Sequence, residues 1–174
     1  IVYLPNSYQP NTKKISISLK KFVKKDFNLP DNKFIYCCFN QAQKILPNTF
    51  NIWMKILKKN TSSVIWLLED NITAKKNLII EAEKREVEGN RLIFCKHIKV
   101  EDHLERIKLA DLFLDTYPYT AHTTCSDALR AGLPVLTMMG KSFASRVASS
   151  LLKTINLEEL ITQSSEEYEK MANK

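Results

Sequence analysis

The chain has 174 residues, a formal net charge of +7, 44% hydrophobic and 26% charged residues, a composition that places it among globular domains rather than disordered segments. Its apolar runs are far shorter than the roughly 20 residues needed to cross a bilayer, and the first residues lack the basic start and apolar stretch of a signal peptide. Of the positive charge, most sits in residues 1–33, where seven lysines face only Asp26 and Asp31; the rest is nearly balanced. This argues against a nucleic-acid binder, which carries its basic residues as a stripe over the folded surface. The lysine-rich arm is expected to be solvated.

Residues 1–30 read as a linker leading into the domain, because Pro5, Pro10 and Pro30 and the asparagines interrupt regular structure. Strands and helices then alternate. Residues 34–39 form an apolar run. Residues 47–59 carry Phe50, Trp53, Met54 and Leu57 at helical spacing behind Pro47. A strand at 64–68 is followed by a charged helix at 73–88 that ends at Gly89. A strand at 91–95 precedes a helix at 100–110. A strand at 111–116 precedes a helix at 123–131 that stops at Gly132. A strand at 135–138 is followed by a helix at 142–152 and short helical pieces. Continuous apolar strands without a period of two, alternating with helices, predict a doubly wound parallel α/β sheet of Rossmann-like type spanning 31–174. Ligands of such sheets bind at the carboxyl ends of the strands.

The sequence also excludes chemistry. With only Gly89, Gly132 and Gly140, it has neither a dinucleotide fingerprint nor a P-loop. His97, His103 and His122 are too far apart for a local metal motif. Cys37, Cys38, Cys95 and Cys125 form no C-x-x-C pair and are expected as buried free thiols in a reducing cytoplasm.

Three clusters stand where ligand-binding loops belong. His122, Thr123 and Thr124 open a helix, where free backbone N–H groups and two hydroxyls form an anion site; a plain helix cap is the alternative. Asp127 follows one turn later. Gln41 and Lys44 follow the first strand, and Lys44 is either a phosphate contact or a solvated lysine. His103 and Arg106 share one helix face and suit a planar base, although such a pair also occurs on plain surfaces.

The pattern F-N-Q-x-x-K-I, then H-x-x-R ahead of L-A-D-x-x-L-D-T, then H-T-T-x-x-D-x-L-x-A-G-x-P-V-x-T, then A-S-R-V-A-x-S, resembles the C-terminal catalytic lobe of the protein O-GlcNAc transferase and SPINDLY family. The opening residues 3–10 resemble the segment joining that family's two lobes. The resemblance implies a GT-B fold and an inverting transfer of N-acetylglucosamine from UDP-GlcNAc to Ser or Thr hydroxyls of proteins, with no metal or other cofactor. It implies catalytic roles for Lys44 and His122, Lys44 offsetting charge on the leaving UDP. Gln41 and Lys44 would contact the diphosphate, and His122, Thr123 and Thr124 the diphosphate and sugar. Ile98, His103 and Arg106 would hold the uracil, and Asp127 the ribose. One departure stands out: the family has a lysine three residues before the base-contacting His, and here that position is Val100, with Lys99 one place earlier. The resemblance further implies a cytoplasmic protein bound to nucleotide sugar, with no membrane or nucleic-acid partner. Acceptor proteins would be bound by an N-terminal lobe and tetratricopeptide repeats beyond this chain, and this chain alone would bind nucleotide weakly and transfer no sugar. A sister branch uses GDP-fucose, but its phosphate loop lacks the His and Asp found here. A non-catalytic nucleotide-binding module is the other alternative.

Overall fold

Apolar runs flanked by helices can bury both faces only as the middle layer of a sandwich. The computed structural model, which describes residues 4–9 and 14–174, has that arrangement. In chain order the main elements are β1 (Phe34–Cys38), α1 (Pro47–Lys59), β2 (Ser63–Leu68), α2 (Ile72–Glu83), β3 (Leu92–Cys95), α3 (Val100–Arg106), β4 (Leu112–Leu114), α4 (Thr123–Arg130), β5 (Val135–Met138), α5 (Val147–Thr154), β6 (Ile161–Thr162) and α6 (Ser165–Ala172). The strands lie in the order β3-β2-β1-β4-β5-β6, and every pairing is parallel. The order reverses between β1 and β4, where Tyr36 pairs with Leu112 and Cys37 with Phe113. The chain leaves these two neighbouring strands toward opposite sides, which opens a crevice at their carboxyl ends.

The core is continuous across both layers. Trp53, Met54, Ile56 and Leu57 of α1 are fully buried, as are Ile65, Trp66 and Leu67 of β2. Pro47 opens α1, where it has no helical N–H to lose. All four cysteines are buried and free.

Four features differ from the sequence reading. α2 stops at Glu83 rather than at 88, because the chain turns at Glu86, whose φ is 60°. Gly89 therefore does not end the helix; it is required by close approach, since a Cβ there would stand 2.7 Å from Ile79 Cγ2. Gly132, with φ 85°, does follow α4 as the left-handed residue. α5 starts at Val147, and residues 142–146 form turns instead. β6 is a two-residue strand beside β5, too short to carry a pattern.

The lysine-rich arm departs most from expectation. Tyr3 and Pro10 of the opening segment lie outside the described residues, but from Lys14 onward the arm lies on the domain rather than in solvent. Ile15, Ile17 and Phe27 pack against the core and Leu29 is buried in it. Phe27 meets the Trp66 ring at 5.2 Å. Ser18 N donates to the Glu101 carbonyl, and Lys20 and Lys21 pair with Asp102 and Glu105 of α3. Those lysines are themselves exposed, so the ion pairs contribute little and the apolar contacts hold the arm. Phe27→Ala is therefore expected to lower stability by about 2 kcal/mol, read as a reduced urea midpoint and faster proteolysis ahead of β1. Lys20→Ala should change stability by less than about 1 kcal/mol in the same assay.

Candidate nucleotide-sugar site

The loop between β4 and α4 carries much of the site, and a buried carboxylate holds it in shape. Asp115, directly after β4, is 2% exposed. Its Oδ1 accepts from Thr116 N at 2.8 Å, Ala121 N at 2.7 Å and Asn40 Nδ2 at 3.3 Å. Its Oδ2 accepts from Thr137 Oγ1 of β5 at 2.7 Å. Burial pushes the carboxyl up to about 6, against the opposing pull of the Thr137 hydroxyl, the Ala121 and Thr116 amides and Lys44. Asn40, just beyond β1, also donates to Thr116 Oγ1 and accepts from Thr124 Oγ1. The peptide bond before Pro118 is cis.

α4 then opens at Thr123, and its N-cap residue His122 makes no side-chain cap. Thr123 Oγ1 accepts from Gln9 Nε2, and Thr124 Oγ1 is turned to Asn40. Neither threonine serves as the helix's own cap, which leaves first-turn N–H groups for another partner. His122 stacks on Tyr119 with centroids 5.0 Å apart, and its Nδ1 lies 2.9 Å from the Tyr8 hydroxyl. Burial first, and then the Lys44 charge, hold the His122 pKa below its ordinary value, with the Ala144 backbone opposing.

Lys44 reaches the same loop from the other side of the strand reversal. It ends a short 3-10 turn after β1, donates to the Thr120 carbonyl at 3.2 Å and stands 4.0 Å from the Tyr119 ring centre. Burial lowers its pKa and Asp115 opposes that shift. Gln41 and Lys44 line one crevice of about 260 Å³ with Tyr119. Lys44 and His122, the two residues expected at the reacting end, thus share one aromatic neighbour.

A second crevice, of about 210 Å³, is lined by Ile98, His103, Arg106 and Asp127, expected at the base and ribose, and by Thr124, expected at the diphosphate and sugar, beside Phe39. His103 Nδ1 accepts from Arg106 Nε at 3.0 Å, so the ring hydrogen is carried on Nε2. Burial, then the charges of Arg106 and His97, bring His103 down to about 4. It is a neutral hydrogen-bond donor at physiological pH. Arg106 is 1% exposed, with its guanidinium among the rings of Phe27, Phe39 and Trp66 and its Nη1 on the Lys96 carbonyl. It supports His103 more than it projects into the crevice. Lys99 is exposed ahead of α3 and does not line the crevice, whereas Val100 does. Burial raises the Asp127 carboxyl, and Arg130 opposes it.

Sequence reasoning passed over Asn40, Asp115 and Tyr119, which were visible only as parts of motifs, and Tyr8 and Gln9, which were read as linker. A larger cleft of about 510 Å³ lies between residues 6–9 and α5, but Leu129, Leu151 and Ile155 line it and the cations of the site do not. Among the described residues no group of three His, Cys, Asp or Glu side chains is placed to hold a metal ion, and no helix is long and apolar enough to cross a membrane.

His103 sets a pH dependence. The unfolded chain takes up a proton at this residue below about 6.5, the folded chain only near 4. Stability contributed here is present at neutral pH and is lost as pH falls from 6.5 through 4, by at most about 3 kcal/mol. Relative to the parent chain, His103→Gln is expected to lose less stability over that range in urea titrations. An NMR titration of His103 in Arg106→Met should show a midpoint raised part of the way back.

The profile of glycosyl transferase family 41 matches residues 9–174. An Arabidopsis thaliana protein described as a probable UDP-N-acetylglucosamine–peptide N-acetylglucosaminyltransferase SEC is 35% identical over 171 residues, 98% of this chain and 18% of that one. A Caenorhabditis elegans UDP-N-acetylglucosamine–peptide N-acetylglucosaminyltransferase is 36% identical over 146 residues, 84% of this chain and 13% of its own. This chain therefore spans less than a fifth of either relative. Among solved structures, a Thermobaculum terrenum O-GlcNAc transferase mutant superposes with a TM-score of 0.84 at 29% identity, covering 99% of this chain and 32% of that one. A profile match that leaves out only the first eight residues makes this chain a member of glycosyl transferase family 41.

Proposed function

We propose that this chain is the donor-binding lobe of an inverting protein O-GlcNAc transferase that takes UDP-GlcNAc as donor. The observation that carries the reading is convergence: Ile98, His103, Thr124 and Asp127 border one crevice, Gln41 and Lys44 border another with Tyr119, and Tyr119 stacks on His122 at the start of α4. A uracil fits the first, where His103 offers an Nε2–H to a ring carbonyl and the Ile98 backbone faces the base edge. Asp127 takes the ribose hydroxyls; Lys99 stands outside the crevice, so the contact of the lysine absent at Val100 is missing. The diphosphate lies against the amino end of α4, with the Thr123 and Thr124 hydroxyls, His122 and Gln41 around it.

In the reaction, an acceptor hydroxyl forms a bond to the anomeric carbon as the bond to the UDP oxygen breaks, with inversion, and the hydroxyl's proton passes to the departing diphosphate or to solvent. Negative charge accumulates on the departing diphosphate. Lys44 and the helix amino end offset it in a partly buried setting, where fixed charges and dipoles act strongly. On this reading no metal is required. Acceptor proteins are held by parts of the enzyme outside this chain, and the whole acts in the cytoplasm. The relatives' names support the donor and acceptor classes.

Calorimetry with UDP and with GDP tests the reading directly. UDP is expected to bind and GDP to bind more weakly; a preference for GDP would favour the fucosyl branch, and no binding of either would favour a non-catalytic module. Lys44→Ala should weaken UDP binding by about 10- to 100-fold, the loss of one charge-assisted contact. In an enzyme that includes its other lobe it should abolish transfer while leaving the unfolding midpoint close to the parent.

A further inference from the structure

Asp115 is buried and lines neither of the two crevices of the site. A carboxylate at this depth is unfavourable unless its hydrogen bonds achieve something apolar side chains would not. Its donors come from separate places: Thr116 and Ala121 at the two ends of one loop, Asn40 after β1 and Thr137 in β5. The Asp115 carbonyl in turn accepts from Tyr168 of α6. Between the two loop ends lie Tyr119, which touches Lys44 and His122, and Thr120, whose carbonyl accepts from Lys44. Asn40 carries the same constraint to Thr124 in the first turn of α4.

We infer that Asp115 is a positioning residue of the nucleotide-sugar site, acting through the 116–121 backbone and through Asn40 to set where the Thr124 hydroxyl, the Tyr119 ring and the Lys44 ammonium stand. The inference rests on the donor-binding reading. The contribution is geometric rather than electrostatic, because a negative charge near Lys44 opposes a bound diphosphate. The charged or titratable groups that face Asp115 are Lys44, Cys38 of β1, Cys125 of α4 and Tyr168 of α6. Only Lys44 is a cation.

Geometry and charge separate in two variants. Asp115→Asn keeps an oxygen for the Thr116 and Ala121 amides, and its amide nitrogen can donate to Thr137 Oγ1. Asp115→Ala leaves all of these donors without a partner. UDP affinity is expected to fall about tenfold or more in Asp115→Ala and to stay within about threefold of the parent, or to tighten, in Asp115→Asn. Asn40→Ala, which cuts the link to Thr124 while leaving Asp115 on its backbone donors, should weaken UDP binding and lower the urea midpoint, since buried partners of Asn40 lose a bond, while the chain still unfolds in one cooperative transition. Hydrogen exchange at the Ala121 amide gives a readout without nucleotide: protection should be lost in Asp115→Ala and kept in Asp115→Asn. Should Asp115→Ala fail to fold, Asn40→Ala and Asp115→Asn decide. Parent-like affinity in Asn40→Ala, or equal losses in Asp115→Asn and Asp115→Ala, would overturn the inference. Failure of the parent chain to bind UDP would instead remove the donor-binding reading, and the positioning role with it, even if Ala121 exchange behaved as described.

Discussion

The reversal of strand order between β1 and β4 is the constraint from which the rest of the site follows. Two parallel neighbours whose connections depart to opposite sides cannot cover their own carboxyl ends. The backbone there is left with polar groups near the core, and each must find a partner. Asp115 and Asn40 meet that need. They take up amides and hydroxyls of the 115–124 segment that would otherwise point into protein without a bond. The groups left facing the crevice are then the amino end of α4, Lys44 and His122. The crevice is polar where the ligand's charge would fall, and it is lined by Phe39 and Ile98 where a base would lie.

The electrostatics follow from the same burial. His103 and His122 are both held toward the neutral form, chiefly by desolvation. Lys44 is desolvated as well but has Asp115 as a counterweight. One crevice thus carries the Lys44 ammonium, and the other a neutral His103 backed by the buried Arg106 guanidinium, which suits a ligand with a neutral base at one end and an anionic group at the other. Asp115 and His103 also pull stability in opposite directions with pH. The folded chain favours the protonated Asp115 carboxyl, so stability from that group is present below its ordinary value of about 3.8 and is lost as pH rises toward 6. His103 loses stability as pH falls across much the same range. The two slopes oppose each other in the intact chain, and single substitutions expose them.

The alternation of apolar runs and amphipathic helices made the parallel sheet legible in the sequence, because burial on both faces requires continuous apolar strands. The crevice residues were legible because they follow strand ends in chain order. What escaped had physical reasons. Ile161–Thr162 is too short to show a period. Residues 142–146 contain nothing that forbids a helix, yet Gly140 N bonds back to the Ser145 carbonyl and fixes turns there. The left-handed residue after α2 is Glu86, not the nearby glycine, and only the packing against Ile79 explains why Gly89 is a glycine. Asp115 read as the polar end of a strand; that it bonds to two loop amides, Asn40 and Thr137 depends on contacts distant in sequence. Lysine content hid the arm's apolar residues, since Ile15, Ile17 and Phe27 are spaced among charges.

The arm also shows how the residues before β1 are tied to the site at two places of unequal strength. Beside His103, Phe27 meets the Trp66 ring and the Arg106 guanidinium and Leu29 is buried in the core, and Arg106 in turn sets the His103 tautomer. At the amino end of α4, Tyr8 and Gln9 meet His122 and Thr123 through exposed hydrogen bonds, with a ring contact from Tyr8 to Phe143. Exposed hydrogen bonds exchange with water at little net gain, whereas buried apolar area does not. The two halves of the opening segment therefore bear differently on the site: residues 15–29 pack on the core beside Arg106 and His103, while residues 8 and 9 meet the start of α4 through exposed hydrogen bonds.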